Sequence, residues 1–223
     1  MGGLIPLGDA SRRPSGFAGI TTLLIVVNAY VFLLEFSGGN RFVHTWSAIP
    51  VRITHGHHTI TLITSMFMHA GWMHIIGNMI FLWAFGPAME DAMGHARYLL
   101  FYLLGGIVAM LAQVLADPNS TIPSLGASGA IAAVMGAFII TFPRDRIRTL
   151  LWFLIFFRVT YIPAVFLMGF WFLMQVFDVG AVSDVQNGGV AYIAHIAGFL
   201  FGVITARVFE GPRRLAYRGN FYE

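Results

Sequence analysis

The stretch 124-SLGASGAIAAVMGA-137 decides how this chain is read. It is apolar enough to open a membrane-spanning helix, yet Gly126, Gly129 and Gly136 are poor helix formers in water. Ser128 places a hydroxyl between two of those glycines, where lipid offers it no partner. The glycines suit the close approach of a second backbone, and the hydroxyl needs a polar neighbour that the approach could bring.

Around that stretch, the 223-residue chain is 57% hydrophobic and 10% charged, against about 25% charge in soluble domains. Such a chain belongs in a membrane. A bilayer core about 30 Å thick takes roughly 20 apolar residues per helical span. Runs of that kind fall near 18–36, 73–88, 98–116, 127–142, 161–177 and 191–209. The expected fold class is therefore an all-α membrane protein, a bundle of six transmembrane helices forming a single domain over 1–223 with its core at about 17–209. Residues 1–16 read as a cytoplasmic N-terminal segment and 210–223 as a cytoplasmic tail. The segment 150-LLWFLIFF-157 is too short for a span and reads as an interfacial or re-entrant piece leading into the fifth helix. Arg12 and Arg13 ahead of an apolar run are reminiscent of a signal peptide. The run is long, carries Glu35 and lacks an Ala-x-Ala site, so it reads as a retained first helix.

All thirteen basic residues are arginine, and their placement carries topology. Arg12 and Arg13 precede helix 1, Arg97 lies in the 2–3 connection, and Arg144, Arg146 and Arg148 lie in the 4–5 connection. Arg207, Arg213, Arg214 and Arg218 gather at the C-terminal end, whereas the opposite side has Arg41 and Arg52. The positive-inside rule then puts both termini in the cytoplasm. The net charge of +3 reports topology and is no argument for a nucleic-acid partner. The absence of cysteine excludes disulfides, thiol chemistry and cysteine-held metals.

Polar groups inside a span are costly, and each is a functional candidate. They are Asn28, Glu35, His74, Asn78, Gln113, Ser128, Gln175 and His195. His74 and Asn78, four residues apart, share a helix face. In 191-AYIAHIAGFLFG-202, Ala194, Gly198 and Gly202 form a stripe of small residues beside His195. Packing that stripe on Gly129, Ala132, Ala133 and Gly136 would bring Ser128 to His195 at one depth. A serine hydroxyl bonded to an imidazole is the activated nucleophile of acyl transfer. At a helix start, the Ser128 amide has no intrahelical acceptor and can face an oxyanion. His74 and Asn78 could supply the remaining donors. No Asp or Glu lies in helices 2, 4 or 6, so a dyad is more economical than a triad.

Blander readings stand beside these. Gly-x-Ser-Gly alone is a common helix contact in membranes, and His195 alone could be bonded to a carbonyl. His69 and His74 are five apart, off a common face, and the zinc-protease pattern His-Glu-x-x-His is absent, so no metal and no cofactor is expected. His55, His57 and His58 read as a polar loop. Glu90 and Arg97 read as a structural tie at a cytoplasmic turn.

Taken together, the motifs resemble those of the bacterial rhomboids, intramembrane serine proteases, over about residues 62–209. The family's two histidines and asparagine correspond to 69-HAGWMHIIGN-78, its Gly-x-Ser-Gly box to 126-GASG-129, and its Ala-His-x-x-Gly-x-x-x-Gly signature to 194-AHIAGFLFG-202. The stretches 86-GPAMEDAMG-94 and 163-PAVFLMGFWFLMQ-175 are similar as well. The resemblance implies a serine endopeptidase with catalytic Ser128 and His195, oxyanion stabilisers Asn78 and His74, and support from His69, Gly126, Gly129 and Gly198. It implies transmembrane protein substrates entering sideways from the lipid bilayer past helix 5 and the 178–190 loop. It also implies an inner-membrane location with the site open to the outer side. Where some members carry an aromatic residue four positions after the serine, this chain has Ala132, so the imidazole must be oriented from elsewhere. Trp46 and Arg52 stand apart where some members have an adjacent pair. Two rival readings are a non-catalytic membrane chaperone of the same fold, which would lack the dyad, and a small transporter, which would show an inverted repeat.

Overall fold

The computed structural model describes residues 2–11, 15–181 and 191–211. Its elements in chain order are β1 (Gly2–Asp9), α1 (Gly19–Trp46), α2 (Pro50–Thr54), α3 (Thr61–Thr64), α4 (Trp72–Met93), α5 (His95–Ala116), α6 (Ser128–Thr141), β2 (Arg146–Phe153), β3 (Phe156–Pro163), α7 (Ala164–Ala181) and α8 (Tyr192–Phe209). One short 3-10 turn, Ser65–Phe67, precedes α4. Large apolar side chains point outward along the helices, among them Val26, Leu33, Met73, Leu115, Phe166 and Ile204. That outer surface is the inverse of a water-soluble one and suits lipid.

Among the described residues, α1, α5 and α8 are long and apolar enough to cross a bilayer, while α6 and Ala164–Phe177 of α7 are apolar but shorter. The short α6 is the centre of the bundle. Every residue from Gly129 to Phe138 is buried, as expected of a helix that is apolar all round. A helix wrapped by protein need not match the thickness of lipid, so its 14 residues suffice.

The seam between α6 and α8 has almost no side chain in it. A Cβ at Gly198 would lie 2.1 Å from the Gly129 carbonyl oxygen, and one at Gly202 would lie 2.0 Å from that of Ala133. From the other side, a Cβ at Gly136 would lie 2.0 Å from the Phe199 carbonyl oxygen. The two stripes of small residues therefore meet backbone to backbone.

Three expectations about the fold need correction. The chain is mostly helical but not all-α, because β1, β2 and β3 form an antiparallel three-stranded sheet in that order. Residues 150–157, expected as an interfacial or re-entrant piece, form the turn end of a β-hairpin in which Leu151 pairs with Arg158 and Phe153 with Phe156. Leu154 takes a left-handed φ of 55° at its turn. The initial segment supplies the third strand, with Leu4 opposite Leu151 and Asp9 opposite Ile147. The physical reason is composition: 156-FFRVTYIP-163 is rich in aromatic and β-branched residues, which pack better on a pleat than in a helix. The first helix also runs past the expected residue 36 to Trp46, bent at Gly39, whose φ of 57° breaks the helical run.

Glu90, at the end of α4, ties α1 to the bundle. Its carboxylate accepts hydrogen bonds from the amides of Ile20 and Thr21, each at 2.8 Å, and from Thr21 Oγ1 at 2.7 Å. These amides belong to the first turn of α1, where an acceptor and a negative charge are both stabilising. Arg97 makes a separate tie, donating to the Glu210 carbonyl at 3.1 Å. Glu90→Ala strands those donors, and a loss of about 3 kcal/mol in unfolding free energy is expected, read as a lowered denaturation midpoint in detergent.

Candidate active site

The segment before Ser128 is fixed by backbone bonds. The Ala48 amide donates to the Ser124 carbonyl at 3.0 Å, Ser124 returns the bond at 2.8 Å, and the Gly126 amide donates to Ser65 at 2.9 Å. Gly126 has a φ of +133°, and a Cβ there would lie 2.9 Å from His74 Cε1 and 3.6 Å from Ser128 Oγ. Only glycine fits between that imidazole and that hydroxyl. Ser128 follows as the first residue of α6.

His195 stands in the first turn of α8, 8% exposed. Its Nε2 lies 2.7 Å from Ser128 Oγ. Its other ring nitrogen, Nδ1, lies 2.6 Å from Oε1 of Gln175 on α7. The proton positions follow by elimination. The Trp171 carbonyl can only accept, so the Gln175 amide nitrogen, 3.4 Å away, is the group that faces it. Oε1 then faces the imidazole and receives the Nδ1 proton, leaving the Nε2 lone pair for the serine hydroxyl. The Trp171 ring lies across the imidazole at 5.7 Å between centroids, tilted by 37°.

The other expected residues gather on α4 and just before it. The His74 ring sits over Gly126, and its Nδ1 accepts from the Ala70 amide at 3.3 Å. Its Nε2 is thereby left to carry the proton in the neutral ring. Asn78 donates one amide hydrogen to the His74 carbonyl at 3.0 Å and retains another. His69 is 1% exposed, with its ring edge-on to His74 at 5.1 Å. Burial first and the neighbouring His74 second lower the His69 pKa to about 3, so this ring is neutral at physiological pH. Its amide donates to Glu35 Oε2 on α1 at 2.9 Å, which anchors the turn into α4. His74, Asn78, Ser128 and His195 all line one cavity of about 720 Å³, together with Gln113, Met73 and Trp171.

Not every polar residue picked from the sequence reaches this cavity. Asn28 is buried in α1, donating to the Leu24 carbonyl at 2.7 Å. Glu35 serves the His69 backbone. His55, His57 and His58 are exposed in the connection between α2 and α3, His55 Nδ1 lying 2.7 Å from the Val51 carbonyl. Ala132 is fully buried, its Cβ beside position 198, and its methyl group supplies no ring to lie on His195. Residues 182–190, most of the loop expected to help admit substrate, lie outside the described residues.

The orienting groups that sequence reading left without a role are Gln175 and Trp171. The available signal was their spacing: four residues apart, they share one face of α7. Gln175 already stood out as a polar residue within a span.

A membrane-type helical bundle that seats a serine hydroxyl on an imidazole, with that hydroxyl at a helix N-terminus, defines a narrow class. Residues 56–211 match the family described as Rhomboid domain, and the chain belongs to the rhomboid family of membrane proteins. Rhomboid protease GluP of Bacillus subtilis (strain 168) is 30% identical over 217 residues, covering 94% of this chain and 38% of that protein. Rhomboid protein 1, mitochondrial, of Saccharomyces cerevisiae is 32% identical over 151 residues, 65% of this chain and 40% of its own length. Rhomboid-like protein 11, chloroplastic, of Arabidopsis thaliana is 24% identical over 207 residues, covering 87% of this chain and 66% of that protein. The chain thus spans about two fifths of the length of the first two.

Proposed function

We propose that this protein is an intramembrane serine endopeptidase that cuts transmembrane protein substrates near the outer membrane face, with Ser128 as nucleophile and His195 as general base and then general acid. The observation that carries this reading is the 2.7 Å contact between Ser128 Oγ and His195 Nε2 on the wall of a cavity of about 720 Å³. In the first step Oγ attacks the scissile carbonyl carbon and its proton passes to Nε2. The carbonyl oxygen becomes an oxyanion, for which the Ser128 amide, the His74 Nε2 proton and the free Asn78 amide hydrogen are the donors. The C–N bond then breaks, the departing nitrogen takes the proton from Nε2, and the acyl group stays on Oγ. Water attacks the ester with His195 again as base, which releases the carboxylic acid and restores the hydroxyl.

In this reading α1, α4, α5, α6, α7 and α8 make six spans of a multi-pass inner-membrane protein, and both termini are cytoplasmic. The arginine distribution supports that orientation, because Arg97 opens α5, Arg144 and Arg146 follow the C-terminal end of α6, and Arg207 donates to the Ile140 carbonyl at that same end, away from Ser128. Water then reaches the cavity from the outer side. Because a helical backbone shields its carbonyls, the substrate segment is expected to contain helix-weakening residues next to the scissile bond, with a small residue before it.

The test is turnover in lipid vesicles of a model single-span substrate by the purified protein, together with labelling by a fluorophosphonate. Cleavage, with the label mapped to Ser128 and both signals gone in Ser128→Ala, is the expected result. Cleavage that persists in Ser128→Ala overturns the assignment. Capture of the helix without any cutting would favour the membrane-chaperone reading instead.

A further inference from the structure

We propose that Gln175 is a positioning residue of the active site, holding the Nδ1 proton of His195 so that Nε2 always faces Ser128. The inference rests on the dyad reading and extends it to a third side chain on a third helix. Its basis is geometry: the 2.6 Å contact from Nδ1 to Oε1, and the Trp171 carbonyl, which fixes which way round the amide sits. Gln175 is itself 8% exposed, so water does not readily replace it.

In a neutral imidazole either nitrogen can hold the proton, and only one of the two forms leaves Nε2 free to accept from serine. A carboxylate commonly settles the choice in such sites. Among the described residues, the groups around the ring are His74 from α4 across the shared cavity, Ser128 from α6, Gln175 and Trp171 from α7, and Tyr192 from α8 itself, edge-on at 6.5 Å between centroids. The amide oxygen of Gln175 is the acceptor among them on the Nδ1 side.

The location adds a consequence. Gln175 and Trp171 both ride on α7, which is seated on α8 through Phe172 and Phe199, stacked at 4.6 Å. Any movement of α7 away from α8 therefore removes the Nδ1 acceptor and the ring that lies across the imidazole. The serine and its base are aligned while α7 is seated and lose alignment when it leaves.

The experiment compares wild type with Gln175→Met, which keeps length and volume but has no acceptor, and with Gln175→Glu, which keeps one. On the model substrate in vesicles, Gln175→Met is expected to lower kcat roughly 10- to 100-fold with KM within about threefold, since the amide touches the imidazole and not the substrate. Gln175→Glu is expected to recover most of that loss. In parallel, protein with nitrogen-15 histidine reports which ring nitrogen is protonated, the His195 signals being assigned by their absence in His195→Ala. Wild type should show a protonated Nδ1, and Gln175→Met a mixture of the two forms. A kcat for Gln175→Met within twofold of wild type, or an unchanged nitrogen signature, overturns the proposal. A variant too unstable for kinetics is still decided by the spectrum of folded protein. Failure of the dyad reading is separate, because it appears as activity retained in Ser128→Ala.

Discussion

His195→Ala is expected to lower kcat on a membrane-embedded substrate by on the order of 10⁴- to 10⁶-fold, with the thermal midpoint little changed. An alcohol is a poor nucleophile at neutral pH, and its reactivity here depends on transferring its proton as it attacks. The acceptor for that proton is Nε2, 2.7 Å from Oγ. His74 does not substitute, because it lies over Gly126 with its Nδ1 engaged by the Ala70 amide, which leaves its Nε2 carrying a proton as a donor. Removing the base therefore leaves the serine unactivated while the oxyanion donors remain. Because the two side chains act as one unit, the double variant Ser128→Ala/His195→Ala should be no slower than either single one. Multiplicative losses in the double variant, or a single-variant effect below tenfold, would mean that the hydroxyl is activated by something other than this imidazole.

Much of that arrangement is legible in the sequence for a physical reason. In lipid, polar residues cannot be spent casually, so a scan for them inside apolar runs yields a short set that includes Ser128, His195, His74, Asn78 and Gln175. Gly198 and Gly202 then identify which two helices approach closely enough to bring the first pair together. The role of Gln175 was not legible. Its partner nitrogen is defined by the rotation of α7 about its own axis, and in 163-PAVFLMGFWFLMQ-175 apolar residues occupy nearly every position, so no stripe fixes that rotation. The sheet escaped for a related reason. Residues 150–157 are apolar on both faces and lack the alternation that marks a half-buried strand. Strand β2 also depends on a partner, Gly2–Asp9, from the far end of the chain. The length of α1 depended on whether the pair Gly38 and Gly39 ends a helix or bends it, and the sequence is compatible with both.

Gly198→Val is expected to be the most disruptive substitution outside the polar site, lowering the unfolding free energy by about 3 kcal/mol or more and the turnover rate by at least roughly 100-fold. The two effects share one cause. Any Cβ at this position falls 2.1 Å from the Gly129 carbonyl oxygen and 3.0 Å from its carbon. The obstacle is backbone in the first turn of α6, which cannot swing aside as a side chain does, so the helices must separate. Gly129 adjoins Ser128 and Gly198 lies one turn after His195. Separation at this seam therefore moves the hydroxyl from the imidazole directly, and a displacement of about 1 Å is enough to cost two orders of magnitude in rate. Gly169→Ala is the matched comparison, since a Cβ at that position on α7 meets nothing within 4 Å. That change should keep full turnover and slightly raise stability through the better helix propensity of alanine. Denaturation midpoints and kcat measured side by side decide the matter: a Gly198→Val protein that cleaves at the rate of Gly169→Ala would mean that α6 and α8 do not hold the catalytic pair together.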